Sequence, residues 1–285
     1  MNYQNTRALA LLGNFLNERP DFIRPDEVRA LTNLGTPEEQ AVALLVASAC
    51  GLDLVNNGED KALFHTYFLP GFHRLSPAHY TQDSYYRCIH VSKADFGDFS
   101  LAQQLYRPYE CFVCNDLKCG PHAEVLPQIG FFTQAFSYPA VLEKGRLWMS
   151  VTPNEIETMR GPIARSRGKV LTYGLGLGYF AFHASEKTTV KEVTVVEHSP
   201  QAIALFTKYL LPLFPHAGKI RLIQADAFDF ASREDISGRF NYIFVDLWRD
   251  VSDGLMLYKQ FKKLEPLNRR IITDYWIEPT LRFYL

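Results

Sequence analysis

From Lys169 onward, short apolar β-branched runs alternate with helix-length amphipathic stretches. Val170 to Tyr173, Val190 to Glu197, Ile220 to Asp226, Phe240 to Asp246 and Arg270 to Trp276 read as five strands, with a helix over Gly254 to Leu264. Unbroken apolar runs of this kind, spaced by helices, predict parallel strands buried on both faces. The nine residues from Ile277 leave room for at most one more strand, so the sheet is either small or completed by an earlier hairpin. The first hundred residues read instead as helices divided by Pro and Gly. Leu9, Leu12 and Leu16 share a helical face; Thr36-Pro-Glu-Glu39 combines an N-cap, a Pro at N1 and a capping-box Glu ahead of Ala41 to Cys50. Leu63 to Phe68 reads as a short helix stopped by Pro70-Gly71, and Tyr80 to Val91 suits a strand or a helix. From Pro127 to Met159 the pattern turns β-like, with a hairpin whose Glu143-Lys-Gly-Arg146 turn precedes Leu147 to Val151. No internal repeat or low-complexity segment is read from the pattern.

The first strand runs into Gly174-Leu-Gly-Leu-Gly178 and then into an aromatic-rich helical stretch. Glycine is needed where a backbone takes positive φ angles or approaches a ligand closely, and the amides at a helix start are free donors. A dinucleotide fingerprint would place its third glycine at position 179, which is Tyr179, so the pattern is G-x-G-x-G rather than G-x-G-x-x-G. Three following strands end in acids, Glu197, Asp226 and Asp246. Ligands of open α/β sheets sit beyond the carboxyl ends of the strands, so these acids are expected to converge on the crevice that the glycine turn opens.

Residues 165 to 276 resemble a class I S-adenosylmethionine-dependent transferase, and within that class the spermidine synthase branch. The resemblance rests on Val170-Leu-Thr-Tyr-Gly-Leu-Gly-Leu-Gly178, Val196-Glu-His-Ser-Pro200, Asp226-Ala-Phe228 and Tyr242-Ile-Phe-Val-Asp246. It implies an α/β, Rossmann-like sheet, with an N-terminal helical region (1–110), a β-hairpin or lid segment (111–160) and a cofactor-binding domain (161–285). S-adenosylmethionine would lie along Tyr173, Gly174, Gly176 and Gly178, with Glu197 accepting its ribose hydroxyls beside His198, and with Asp226 and Ala227 bordering the adenine. Asp246 would orient or deprotonate the nucleophile, or contact only the cofactor. Trp248 and Tyr179 would wall the acceptor site or pack in the core, and Asn154-Glu155 matches an acidic pair of the branch. Thr172, Leu177 and Thr158-Met159-Arg160 depart from the pattern, and Asp246-Leu-Trp-Arg-Asp250 replaces a loop of the polyamine enzymes. The implied activity is transfer from S-adenosylmethionine, most simply methyl transfer to a small molecule; aminopropyl transfer or a non-catalytic nucleoside site are the alternatives.

Composition narrows the partners. With 285 residues, 47% hydrophobic, and a net charge of −1, the chain can bury a large core and offers no electrostatic reason to bind nucleic acid or an anionic membrane. The N-terminal apolar run is interrupted by Gly13 and Asn14 and lacks a signal-peptide pattern, which points to the cytoplasm and to reduced thiols. The oligomeric state is left open, a homodimer included. His65, His73, His79 and His90 lack metal spacing. Cys111-x2-Cys114-x4-Cys119-x2-His122 has it, but the enclosed Phe112-Val113 suits a strand better, so no metal is expected.

Overall fold

The computed structural model describes residues 2–90, 93–233, 235–265 and 271–285. The chain forms two compact units, one of residues 1–80 and 105–137 with Tyr284, the other of 81–104 and 138–283 with Leu285. The division therefore falls inside the 111–160 segment, and the region before residue 110 carries strands as well as helices. Among the described residues no helix is long and apolar enough to cross a membrane.

In the first unit, helices Tyr3–Glu18, Pro25–Asn33, Glu38–Ala49 and Gly58–Leu63 enclose an apolar core with a small sheet, in which Phe72–Arg74 runs parallel to Ile129–Phe131 and the latter antiparallel to Phe112–Val113. The first helix buries Asn5, Ala8, Leu12 and Phe15, so its inner face is offset from the expected Leu9–Leu12–Leu16 stripe. Asn5 is drawn inside by hydrogen bonds, accepting from the Tyr67 hydroxyl at 2.8 Å and the Val125 amide at 2.9 Å. The capping box expected at Thr36 does not form: Pro37 is the cap, without a side-chain bond. Glu38 instead accepts from the Tyr109 hydroxyl and pairs with Arg74, and Glu39 accepts from the Arg74 amide. Cys111 and Cys114 are buried on either side of the Phe112–Val113 strand while Cys119 is exposed. Burial pushes the Cys111 thiol far above its ordinary range. No metal-sized group of His, Cys, Asp and Glu occurs among the described residues.

One repeat escapes the apolar pattern. Ala62-Leu-Phe-His-Thr-Tyr-Phe-Leu-Pro-Gly-Phe72 and Ala204-Leu-Phe-Thr-Lys-Tyr-Leu-Leu-Pro-Leu-Phe214 agree at seven of eleven positions. Each runs from α-helix into a π turn (Phe64–Phe68, Phe206–Leu210) and then a 3₁₀ turn (Leu69–Gly71, Leu211–Leu213). Pro70 and Pro212 account for this, because a proline ring crowds the carbonyl four residues earlier and donates no bond, so the turn before it widens.

The second unit is built on a five-stranded sheet. In chain order it contains α1 (Pro153–Arg165), β1 (Gly168–Tyr173), α2 (Tyr179–Glu186), β2 (Val190–Glu197), α3 (Pro200–Leu205), β3 (Ile220–Gln224), α4 (Ala227–Ala231), α5 (Ile236–Arg239), β4 (Tyr242–Val245), α6 (Val251–Phe261), β5 (Ile272–Tyr275) and α7 (Glu278–Arg282). All strand pairs are parallel, in the order β3-β2-β1-β4-β5. This mixed α/β unit thus has a doubly wound order, with its switch between β1 and β4. The start of the fifth predicted strand, Arg270, lies outside the described residues, and the chain after β5 forms α7 rather than another strand. The hairpin Phe136–Glu143 and Arg146–Ser150 belongs to a separate four-stranded sheet with Ala94–Phe96 and Phe99–Tyr106, so it does not complete the parallel one. The β-like stretch ends at Ser150, since α1 begins at Pro153; the segment 80–91, where described, is helical (Pro77–Thr81 and Ser84–Cys88) rather than a strand, and Val91 lies outside the described residues.

The core of this unit is aromatic, with Phe180 stacked on Phe244 at 4.4 Å and Phe182 against Phe214 at 5.0 Å. Lys187 closes α1: its ammonium donates to the carbonyls of Ile163, Ala164 and Ser166 at 2.6–2.7 Å, at a helix end where carbonyls run out of intrahelical donors. Lys187→Met keeps the stem and removes these donors, and is expected to cost about 1–3 kcal/mol in urea unfolding.

Candidate functional site

The glycine turn exists because two strand ends come too close for a side chain. Gly174 has φ +94°, and a Cβ there would stand 1.9 Å from the Asp246 carbonyl oxygen. The Asp246 amide in turn donates to the Tyr173 carbonyl at 2.9 Å, and the Gly174 amide to the Val196 carbonyl at 2.9 Å, so the ends of β4, β1 and β2 are tied together at this point. Gly178 caps α2 at φ +79°, where a Cβ would meet the Phe206 ring at 2.5 Å. The π and 3₁₀ turns after α3 deliver Phe206 and Phe214 to that spot, edge to face at 5.3 Å. Between these fixed points, the amides of Gly176 and Leu177 have no acceptor among the described residues.

Glu197, at the end of β2, stands behind the turn and is 6% exposed. One of its oxygens accepts from the Leu175 amide at 3.2 Å; the other accepts from the Ser199 amide at 2.8 Å and lies 3.2 Å from His198 Nδ1. A carboxylate has about four lone-pair sites, so acceptor capacity is left over.

The turn opens on a cleft of about 470 Å³, within the range of small-molecule sites. Its lining is acidic: Glu155, Glu197, Asp246 and Asp253 against Arg249 and His198. Arg249 is paired with Asp253 at 3.4 Å. Glu155 comes from the first turn of α1 and Asp246 from the residue after β4, and neither carboxylate receives a hydrogen bond among the described residues. Burial pushes the Asp246 carboxyl up to about 7. Burial, with the Asp246 charge added, holds Glu155 well above the usual carboxylate range. Burial disfavours the charged form of each acid, and the nearby Asp246 charge adds to that at Glu155.

All three tryptophans of the chain line the same cleft. Trp148 is the extra residue of a β-bulge, since Leu147 pairs with Leu142 and Met149 with Val141. The bulge breaks the side-chain alternation, which is how Leu147, Trp148 and Met149 all reach the cleft from one strand. Trp248 lies flat against α6 where Gly254 leaves space; a Cβ there would stand 2.8 Å from the indole ring. Trp276 donates its indole N–H to Thr158 Oγ1 at 2.9 Å, and the next residue, Ile277, takes φ +46°, a strained setting for a β-branched side chain.

Of the residues singled out from the sequence, Glu155, Gly174, Gly176, Tyr179, Glu197, His198, Asp246 and Trp248 meet at the cleft. Tyr173, Gly178, Asp226 and Ala227 do not line it. The Tyr173 ring packs inward on Phe261 at 4.8 Å, and its hydroxyl is buried without a partner among the described residues. Asp226 is exposed, its carboxylate capping α4 through the Phe228 and Asp229 amides at 2.8 and 3.0 Å, and Ala227 is buried in that helix. The expected convergence of three strand-end acids therefore holds for two, Glu197 and Asp246. Trp148, Met149, Asp253 and Trp276 were not singled out from the sequence; only Trp276 carried a signal, since it directly follows β5 as Asp246 follows β4.

No family model matches the sequence, and no curated protein matches it. Among solved structures, the chain is similar to a spermidine synthase from Thermotoga maritima, at 18% identity and a TM-score of 0.31 over 42% of this chain and 44% of that one. It is similar to a spermidine synthase in complex with the transition-state analogue AdoDATO at 18% identity and a TM-score of 0.31, covering 39% of each chain. A putative O-methyltransferase from Klebsiella pneumoniae matches at 15% identity and a TM-score of 0.26, over 33% of this chain and 41% of that one. This chain thus spans less than half the length of each.

Glu197 accepts from two backbone amides, so it has a part in the fold itself. Glu197→Ala is expected to destabilise the ligand-free protein by about 2–4 kcal/mol, and Glu197→Gln by less, since the amide retains one acceptor oxygen. Chemical denaturation of the two variants checks this.

Proposed function

We propose that the protein is an S-adenosylmethionine-dependent transferase that moves a methyl group to a small acceptor carrying an amine. The observation that carries this reading is the acidity of the cleft at a glycine turn. Turns of this shape also hold pyrophosphate, but a dinucleotide would meet Glu155, Glu197 and Asp246 with only the paired Arg249 and the exposed His198 to offset them. A sulfonium nucleoside brings a positive charge to the same place, and the free Gly176 and Leu177 amides suit the carboxylate of its amino-acid end.

Glu197 would take the ribose hydroxyls with its remaining lone pairs, and the glycine turn would hold the amino-acid end. When bound, the cofactor supplies an electrophilic methyl on sulfur. The remaining work belongs to side chains of this chain. Asp246 and Glu155 accept hydrogen bonds from an ammonium, orient it, and receive the proton that makes its nitrogen nucleophilic. Their raised proton affinity matches that task near neutral pH. Trp148, Trp248 and Trp276 exclude water and present aromatic faces to cations.

Titration calorimetry is expected to show S-adenosylmethionine or S-adenosylhomocysteine binding, with no response to NAD; NAD binding without the nucleosides would overturn the reading. Appearance of 5′-methylthioadenosine on incubation with amines would move the assignment from methyl to aminopropyl transfer.

The acid pair also fixes a pH dependence. A carboxyl whose folded pKa is raised binds protons more tightly in the folded state, so its favourable contribution is present below the usual carboxylate range and lost as pH rises through about 7. Asp246→Asn is therefore expected to stabilise the ligand-free protein at pH 8 by at least ~1 kcal/mol, read as a higher melting temperature, since one pKa unit is worth ~1.4 kcal/mol. At pH 5 the gain should shrink. The same substitution should lower turnover by roughly 10²–10⁴ with little change in nucleoside affinity. An unchanged turnover would remove Asp246 from the chemistry.

A further inference from the structure

A short helix far from the glycine turn in sequence touches it at several points. Asp83 and the helix Ser84–Cys88 pack on the start of α2. Tyr85, fully buried, donates its hydroxyl to the carbonyl of Leu177 at 2.8 Å, inside the turn itself. Its ring lies edge-on to Tyr179 and Phe182, both at 5.3 Å. Tyr86 donates to the carbonyl of Val151, just before α1, at 2.6 Å.

Asp83 does two jobs at once. It caps its own helix by accepting from the Tyr85 amide at 2.8 Å, and it accepts from the Tyr179 hydroxyl at 2.9 Å while facing His183 Nε2 at 3.0 Å. The other ring nitrogen of His183 faces Glu186 at 3.1 Å, and Glu186 accepts from the Ser84 hydroxyl at 2.8 Å. Burial works against the Asp83 charge, but the bonds and charge of His183, with those of Tyr179 and the Tyr85 amide, hold its carboxyl below the ordinary range.

We propose that Asp83 and Tyr85 are positioning residues for the glycine turn, fixing the Leu177 carbonyl and the Tyr179 ring so that the Gly176 and Leu177 amides stay aimed at the cleft. A peptide plane is rigid, so holding the Leu177 carbonyl holds the plane that ends at the Gly178 amide, and Gly178 caps α2. Tyr179 is kept with its hydroxyl on Asp83 and is one of the cleft walls. The turn by itself has few internal constraints, a single Gly178 amide to Leu175 carbonyl bond at 2.8 Å, which is why an outside group is needed. As a role in nucleoside binding, this rests on the function proposed above; as a role in setting the turn, it stands apart from it.

The test compares Tyr85→Phe with Tyr86→Phe. Each removes one hydroxyl from the same short helix, but only the first releases the turn. Amide hydrogen exchange of Leu175 and Gly178, the bonded amides of the turn, is expected to quicken about five- to tenfold in Tyr85→Phe, the range that follows from losing one hydrogen bond, and to stay within about twofold in Tyr86→Phe. Affinity for S-adenosylhomocysteine should fall by a similar factor in Tyr85→Phe alone. Asp83→Asn keeps the shape of the cap while removing the charge that faces His183, and should quicken exchange at Gly178 without affecting β1. Unchanged exchange at the turn in both Tyr85→Phe and Asp83→Asn, or equal quickening in Tyr85→Phe and Tyr86→Phe, would overturn the proposal. If S-adenosylhomocysteine does not bind the wild-type protein, the nucleoside reading fails while the exchange data still decide whether these residues set the turn.

Discussion

The close approach of the Asp246 carbonyl to Gly174 is the constraint on which the site depends. With a Cβ position 1.9 Å from that oxygen, β1 and β4 can end side by side only if residue 174 is glycine. The proximity does more than permit a turn. It brings the residue after β4 to the same point of the sheet as the residue after β1, where the strand order reverses and a crevice must open. Asp246 faces the cleft for that reason, and Glu197 reaches the turn because β2 flanks β1 on the other side. A backbone contact between two strands thus sets the positions of the acids that give the cleft its charge.

That charge is held at a cost to the fold. Glu155 and Asp246 are desolvated, the Asp246 charge adds to the proton affinity of Glu155, and neither has a protein donor among the described residues. Behind them the same pattern continues: the Tyr173 hydroxyl and the Trp248 indole N–H are buried without partners among the described residues, and Ile277 sits in a left-handed conformation. A buried polar group left unpaired costs about 1–3 kcal/mol. The rest of the second unit offsets this through apolar packing of Phe180, Phe182, Phe206 and Phe244, all at or near full burial. Local costs gathered at one end of a well-packed sheet are what a binding site looks like, because a ligand can satisfy groups that the fold cannot.

The parallel sheet was legible because its strands are buried on both faces and so read as continuous apolar runs, and the turn was legible because glycines at alternate positions have few other uses. What failed was any inference that needed partners distant in sequence. Thr36-Pro-Glu-Glu39 has the letters of a capping box, yet the box acid Glu39 is taken by the Arg74 amide, supplied by a later segment, and Pro37 becomes the cap. Asp226 ends its strand as Glu197 and Asp246 do, but β3 is the edge of the sheet, and its acid turns to cap α4 instead. Trp148 reaches the cleft through a bulge, which shifts one strand by one residue and leaves no mark on the apolar alternation. The link from Tyr85 to Leu177 spans ninety-two residues and involves a side chain and a backbone carbonyl, a pairing no local pattern can announce.

The charge of the cleft also explains why the turn alone says little about a ligand. Free amides at the start of a helix attract any anion, and by that measure a phosphate and a carboxylate are equivalent. The distinction comes from what lies around the amides. Two unit charges 4 Å apart interact by about 4 kcal/mol at an effective dielectric of 20, so one uncompensated carboxylate beside a phosphate cancels what several amide bonds contribute. Here the carboxylates surround the turn, while Arg249 is already engaged by Asp253. A ligand that places a single carboxylate on the amides and a cation toward Glu155 and Asp246 gains at both ends, whereas a pyrophosphate gains at one and loses at the other. On the function proposed above, the acids beside the turn set the selectivity between the two classes, while the glycines give the ligand room and the Gly176 and Leu177 amides hold its carboxylate.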